Sequence, residues 1–198
     1  MKKLILLVTV VLFAFNVNAQ SVDFGVKAGA NFATIGGDES DDFGSRTSFH
    51  FGVTAGISVS DNFSIQPELV YSGQGASLDF EGVDADVELG YLNLPIMAQF
   101  QVADGFSIEV GPQFGFLMSA KVEAEGEEED IKDDLKGLDL AAGVGINYAM
   151  ASGLNIGARY NLGLSNLNDG EDSDDISNQN NVFQVSIGYR FGGGGSKD

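Results

Sequence analysis

The fold turns on VFQVSIGYRF, residues 182–191. Phe183, Val185, Ile187, Tyr189 and Phe191 alternate with Gln184, Ser186, Gly188 and Arg190, the period-2 signature of a strand with one apolar and one polar face. In a soluble sandwich the apolar face meets a core; in a membrane barrel it meets lipid. Alternation alone says only that the faces differ, and the rest of the chain decides which solvent each one sees.

The start of the chain narrows the choice. Met1-Lys2-Lys3 is a short basic opening, Leu4 to Phe15 is an apolar run, and Val17-Asn18-Ala19 supplies small residues before Gln20. That layout predicts a secretory signal peptide over residues 1–19. The run falls short of the ~20 residues a transmembrane helix needs, and no later stretch is long or apolar enough to span as a helix. If the protein lives in a membrane, strands do the spanning. Cleavage would leave 179 of the 198 residues, a length suited to one domain. Losing Lys2 and Lys3 takes the formal charge from −19 to −21. Such acidity argues against nucleic acid as a partner, because a phosphate backbone is held by a basic surface. The chain has no Cys, which removes both disulfides and an acyl anchor on the mature N-terminus. Its 27 Gly, 15 Phe and 3 Pro fit a β-rich barrel or sandwich better than a helical bundle.

The same alternation recurs near 23–33, 49–60, 63–75, 89–102, 106–119, 138–150, 154–166 and 182–191. Each stretch is at least as long as the ~9–11 tilted residues that cross a bilayer. Ser60-Asp61-Asn62, Ala103-Asp104-Gly105 and Ala151-Ser152-Gly153 read as tight turns. Between them the polar stretches 34–48, 76–88, 120–137 and 167–181 read as long loops. Short and long connections alternate throughout, as in a transmembrane barrel with brief periplasmic turns and long external loops. Of the 29 acidic residues, 22 fall in the four long stretches. The polar faces of the strands carry mainly Gly, Ser, Asn and Gln, as a confined lumen would, where an exposed sandwich face would carry Lys and Glu. Phe24, Phe63, Phe100, Phe106, Tyr148 and Phe191 all stand at strand ends next to short turns or termini, on the apolar face. They predict an aromatic girdle at one height. The expectation is an all-β fold: an eight-stranded antiparallel up-and-down transmembrane β-barrel over residues 20–191, preceded by the signal peptide and followed by a flexible Gly-rich tail, GGGGSKD, at 192–198. Its apolar face meets lipid, its loops are extracellular and both termini are periplasmic.

GYLNLPIMAQFQVADGFSIEVGPQFGFLMSAK, with its Leu-Pro-Ile and Gly-Pro-Gln-Phe-Gly, resembles the outer membrane protein beta-barrel domain family, often labelled porin family proteins. GVKAGANFATI and QPELVYSGQGA are similar to the same family, so the resemblance runs from about residue 21 to 191. It implies the barrel fold, an outer-membrane location among lipid and lipopolysaccharide, and a barrel-assembly machinery as partner during insertion. It implies no catalytic motif and no cofactor. GGGGSKD after Phe191 departs from the family habit of ending on an aromatic strand.

Pro67, Pro95 and Pro112 lie inside predicted strands, where each removes a ladder donor. Pro95 and Pro112 flank one turn at similar distances, which predicts a bulge or an unpaired gap. Parity points Asp23, Lys27, His50, Glu68, Glu109, Asp139, Arg159 and Arg190 into the lumen. Buried charges need partners, so these predict a salt-bridge and hydrogen-bond network filling the barrel. Eight strands leave an interior just wide enough for side chains to fill. Against closure, Gly25, Gly29, Gly52, Gly56, Gly111, Gly115, Gly143, Gly145, Gly157, Gly163 and Gly188 also point inward. That missing volume keeps a narrow, cation-preferring pore as the alternative to a non-enzymatic structural or surface-interaction barrel. The sole histidine, His50, shares a face with Ser48, the weak outline of a Ser–His pair. EGEEEDIKDD (125–134) and NDGEDSDD (168–175) are candidate sites for loosely held divalent cations, although neither matches the EF-hand loop.

Overall fold

The computed structural model describes residues 22–37, 43–80, 83–124, 126–169 and 177–191. The expected signal peptide and the tail lie outside the described residues. Among the described residues there are ten strands: β1 (Val22–Gly37), β2 (Phe43–Gly44), β3 (Arg46–Ser60), β4 (Phe63–Phe80), β5 (Val83–Ala103), β6 (Phe106–Ala124), β7 (Glu127–Asp130), β8 (Leu138–Ala149), β9 (Leu154–Gly163) and β10 (Asn178–Phe191). Eight of them close a ring, β1–β3–β4–β5–β6–β8–β9–β10 and back to β1, every contact antiparallel. Closure pairs all the main strands on both sides and leaves no sheet edge, the one way a β structure satisfies its backbone in lipid. The short strands β2 and β7 extend the wall on β4 and β6.

The molecule is inside out relative to a soluble sandwich. Phe24, Val26, Phe49, Phe51, Val53, Ile108, Val110, Phe183, Val185 and Ile187 are all more than 40% exposed. The inward neighbours Asn31, His50, Glu68, Gln113, Arg159, Asn161 and Gln184 are 4% exposed or less. The turn-end aromatics stand in three cross-strand pairs on this outer face: Phe24 with Phe191, Phe63 with Phe100, and Phe106 with Tyr148. The Phe63 and Phe100 ring centroids are 4.9 Å apart, within the range where aromatic pairs attract beyond their burial. The tight turns lie at the same end, with Gly105 and Gly153 at φ of +73° and +91°, a region that favours glycine.

The prolines interrupt the ladders as a missing donor must. Between β5 and β6, Pro95 pairs with Gln113 and Ala98 with Val110, but the intervening residues do not pair. A second gap in the same sheet lies between the Pro67–Ile96 and Val70–Asn93 pairs of β4 and β5. Register is preserved across both, so these are unpaired gaps without a bulge.

The expected loops are corrected most. Stretch 76–88 is largely strand and 120–137 is about half strand: β4 and β5 pair out to Phe80 and Val83, and β6 turns back into β7. The physical reason is alternation at short range. Asp86 and Glu88 alternate with Ala85, Val87 and Leu89, so the acids take one face of a hairpin and the apolar residues take the other. A bulge at Met118, between the Gly90–Ser119 and Tyr91–Leu117 pairs, resets the parity of β6. Past it, Ala120 faces inward at 1% exposure. Beyond the apolar outer band the barrel therefore continues as a walled extension.

Candidate functional site

The interior and the loop end hold the groups capable of chemistry. Deepest is a four-charge network. Arg159 on β9 donates from Nη1 and Nη2 to both oxygens of Glu68 on β4, at 3.0 and 2.7 Å, and from Nε to Glu109 on β6 at 2.6 Å. Lys27 on β1 donates to Glu68 at 3.1 Å. Gln66 and Gln99 donate to carboxylate oxygens of Glu68 and Glu109, at 2.8 and 3.1 Å. Two acids and two bases cancel, and the bidentate guanidinium fork supplies the geometry a buried pair needs. Arg190 and Asp23 sit apart from this network toward the turn end, 4.0 Å from one another and partly exposed.

His50 does not meet Ser48, whose hydroxyl donates instead to the Gly73 carbonyl at 2.5 Å. The weak Ser48–His50 outline does not form, and the histidine is packed in the interior. His50 Nδ1 lies 2.7 Å from Asn31 Oδ1 and Nε2 lies 2.9 Å from Ser186 Oγ. The Asn31 amide nitrogen faces the carbonyls of Phe49 and Gly73, at 3.3 and 2.6 Å, which turns Oδ1 toward the ring. Oδ1 can only accept, so Nδ1 carries the proton and Nε2 accepts from Ser186. Sequence spacing had no means of finding Ser186, which lies 136 residues from His50 and reaches it only through barrel closure.

Asp139 is buried at 4% exposure, accepts from Ser165 Oγ at 2.6 Å, and makes no ion pair among the described residues. It therefore stands outside the charge network. Tyr91 Oη and both amide atoms of Asn93 and of Asn161 are buried without a hydrogen-bond partner among the described residues.

Several of the inward glycines make room for a neighbour's side chain, while Gly52 and Gly111 lie against neighbouring backbone and Gly56 borders more open space. A Cβ on Gly145 would lie 2.9 Å from Glu109 Oε1, and one on Gly143 would lie 2.9 Å from Asn161 Oδ1 and 3.1 Å from Met97 Cε. A Cβ on Gly115 would lie 2.9 Å from Asn93 Oδ1, and one on Gly29 would lie 2.7 Å from His50 Cε1. Counting missing side-chain volume strand by strand overlooks this, because the filling comes from the strand across the lumen or beside it. Toward the turns a polar cavity of about 60 Å³ remains, bordered by Glu109, Arg159 and Ser186.

At the other end the lumen is capped by an apolar cluster. Ile35, Ala76, Val87, Leu89, Tyr91, Leu117, Ala120 and Leu167 are all buried, with Phe43, Leu78, Val122, Ile131 and Leu135 packed against them. Leu167 arrives from the β9–β10 connection and Ile131 from the end of β7, just before the 3-10 turn Lys132–Asp134. Apart from buried Asp139, acids of this end such as Glu88, Glu123 and Glu127–Asp130 face outward or stand exposed. No group of three or more His, Cys, Asp or Glu side chains capable of holding a metal occurs among the described residues.

A family model described as "outer membrane protein beta-barrel domain" matches residues 18–169. No curated protein sequence matches the chain. Among solved structures, Ail, the attachment invasion locus protein of Yersinia pestis, is 16% identical with a TM-score of 0.52, covering 85% of this chain and 98% of its own. Neisserial surface protein A is 15% identical with a TM-score of 0.55, covering 86% and 99%. A major outer membrane protein from Thermus thermophilus is 14% identical with a TM-score of 0.50, covering 86% and 100%. At these identities the likeness is one of fold.

Proposed function

The chain belongs to the outer membrane protein beta-barrel domain family, and on that premise we propose that it is a sealed, non-enzymatic surface barrel that presents an acidic rim to the outside of the cell. It is an outer-membrane barrel; the tight turns and both termini face the periplasm, and the extended hairpins face outward. The observation that carries the reading is a lumen stopped twice. The Lys27–Glu68–Arg159–Glu109 network crosses its middle, and the Leu89–Tyr91–Leu117 cluster closes its outer end. An ion passing through would have to break bidentate charge pairs and then cross a dry apolar layer, each costly. This favours the structural or surface role over the narrow cation-preferring pore.

Enzymatic use of Ser186–His50–Asn31 finds no room. The neighbouring cavity of about 60 Å³ is well below the roughly 300 Å³ at which ordinary ligand pockets begin. The acidic rim also separates this chain from Ail, which has been solved with the heparin analogue sucrose octasulfate. A polyanion of that kind would be repelled here, so the fitting surface partners are cationic, or lipopolysaccharide phosphates bridged by divalent cations. Insertion by a barrel-assembly machinery and removal of residues 1–19 belong to the same proposal.

The test is planar-bilayer conductance of refolded protein, its folding verified by heat-dependent gel shift. A silent bilayer supports the sealed barrel. Discrete cation-selective steps from folded protein overturn it and restore the pore.

A further inference from the structure

Asp139 is the buried lumen charge that the network leaves over. Lys27 and Arg159 cancel Glu68 and Glu109, whereas Asp139 is buried with no cation in salt-bridge reach among the described residues. Its Oδ1 accepts from Ser165 Oγ at 2.6 Å, and Ser165 Oγ accepts in turn from the Leu140 N–H at 2.8 Å. The single hydroxyl hydrogen is therefore committed to the carboxylate. A neutral hydroxyl does not cancel the charge, and a buried charge is kept only beside one of opposite sign.

A second residue marks where that charge would sit. Gly115 of β6 pairs with Asn93 of β5 on one side and with Asp139 of β8 on the other. A Cβ on Gly115 would lie 2.9 Å from Asn93 Oδ1, 3.2 Å from Tyr91 Cδ1 and 3.5 Å from Asp139 Cβ. The two polar side chains thus meet over this glycine, beside the Tyr91 ring. Asn93 is 1% exposed, and neither its Oδ1 nor its Nδ2 has a hydrogen-bond partner among the described residues. Orphaned amide atoms at that depth are costly unless something is bound there. Outward of this rung, Leu117 and Tyr91 belong to the apolar cap; toward the turns lies the Arg159–Glu109 pair. Bulk counterions therefore cannot compensate Asp139 from outside.

We propose that Asp139 and Asn93, over Gly115, bind one partly hydrated alkali-metal cation inside the barrel. The ion lies between the Asp139 carboxylate and Asn93 Oδ1, and a water on the ion accepts from Asn93 Nδ2. Charge and hydrogen bonding together select this occupant. A single positive charge neutralises a single carboxylate, while a divalent ion among neutral Asn and Ser oxygens would leave a buried excess. Water alone brings no charge. A proton on Asp139 would neutralise it but could satisfy only Asn93 Oδ1, leaving Nδ2 without an acceptor. Oxygen ligands suit a hard cation, and Gly115 supplies the room, since a side chain there would enter the space between them. The assignment rests on the interior geometry and not on the sealed-barrel reading.

The experiment is urea unfolding of the refolded full chain in phosphatidylcholine vesicles at neutral pH, with sodium chloride exchanged for N-methylglucamine chloride at constant ionic strength. Near saturation, one bound ion raises the folding equilibrium constant about tenfold for each tenfold rise in sodium, as mass action at a single site requires. Asp139→Asn should abolish the dependence, and Asn93→Ala should move its onset to higher sodium, so the site stays testable if either variant fails to refold. Glu129→Gln, on exposed β7, should keep it, which separates the lumen site from the acidic rim. A sodium-independent wild type overturns the proposal. An infrared carboxylic-acid band lost in Asp139→Asn would then assign a proton to the site, and its absence water alone. A sodium dependence that survives both Asp139→Asn and Asn93→Ala also overturns it and places the ions on the rim.

Discussion

Replacing Arg159 by Met tests whether the lumen is a closed, low-dielectric interior. The guanidinium holds both oxygens of Glu68 and one of Glu109 through three contacts of 2.6–3.0 Å, at 3% exposure. Met fills similar volume but leaves two buried carboxylates with one cation, Lys27, which reaches only Glu68. Breaking a buried pair in this way typically costs ~3–5 kcal/mol, because an uncompensated charge stays behind. That range is the expected loss, read as the change in unfolding free energy from urea titration of the protein folded in lipid vesicles. The double variant Glu109→Gln/Arg159→Met removes one charge of each sign and leaves the Lys27–Glu68 pair intact and neutral. It should regain about 1–3 kcal/mol relative to Arg159→Met alone, the usual coupling between contacting residues. A loss below about 1 kcal/mol for the single variant, or strict additivity in the double, would refute the reasoning. Either would mean that water already screens these charges and the lumen is open at this level.

Gly145→Ala drives a methyl against Glu109 Oε1 and the Ala158 carbonyl and should cost ~1–3 kcal/mol in the same titration. Gly56→Ala, whose nearest neighbour would be the Asp23 carbonyl at 3.7 Å, should be tolerated; equal effects at the two sites would remove the case that inward glycines are space reserved for neighbours. Tyr91→Phe deletes a buried hydroxyl that has no partner, so its urea midpoint should stay level or rise; a loss above about 1 kcal/mol would reveal a partner held there. A fluorophosphonate probe should leave Ser186 unlabelled in folded protein, and a Ser186-dependent adduct by mass spectrometry would convert the Asn31–His50–Ser186 chain into a working nucleophile.

How much was legible depended on the range of the interaction. Strand existence and the three tight turns rest on period-2 alternation and on Asp, Asn and Gly at chain reversals, both local properties. The inward placement of Glu68, Glu109 and Arg159 follows from the same parity. Loop assignment went astray where acid density was weighed above alternation: Glu88 and Glu123 lie in strands, because one charged residue in two still leaves a continuous apolar face. The Met118 bulge also inverts parity where no local signal marks it.

By itself, then, the chain's amino-acid order determined a closed antiparallel barrel, its lipid-facing side, its aromatic girdle and the interruptions at its prolines, since each arises between residues close in sequence or fixed by strand period. Tertiary structure decided what occupies the lumen. Whether a glycine is a void or a berth depends on the residue paired with it on the neighbouring strand, as Glu109 is with Gly145 and His50 with Gly29. Which partner a histidine finds depends on closure, which brings Ser186 to His50. The one-residue offset between the β2–β4 and β3–β4 ladders likewise exists only once the strands are paired. These are contacts between segments apart in the chain, and only the assembled barrel sets their register.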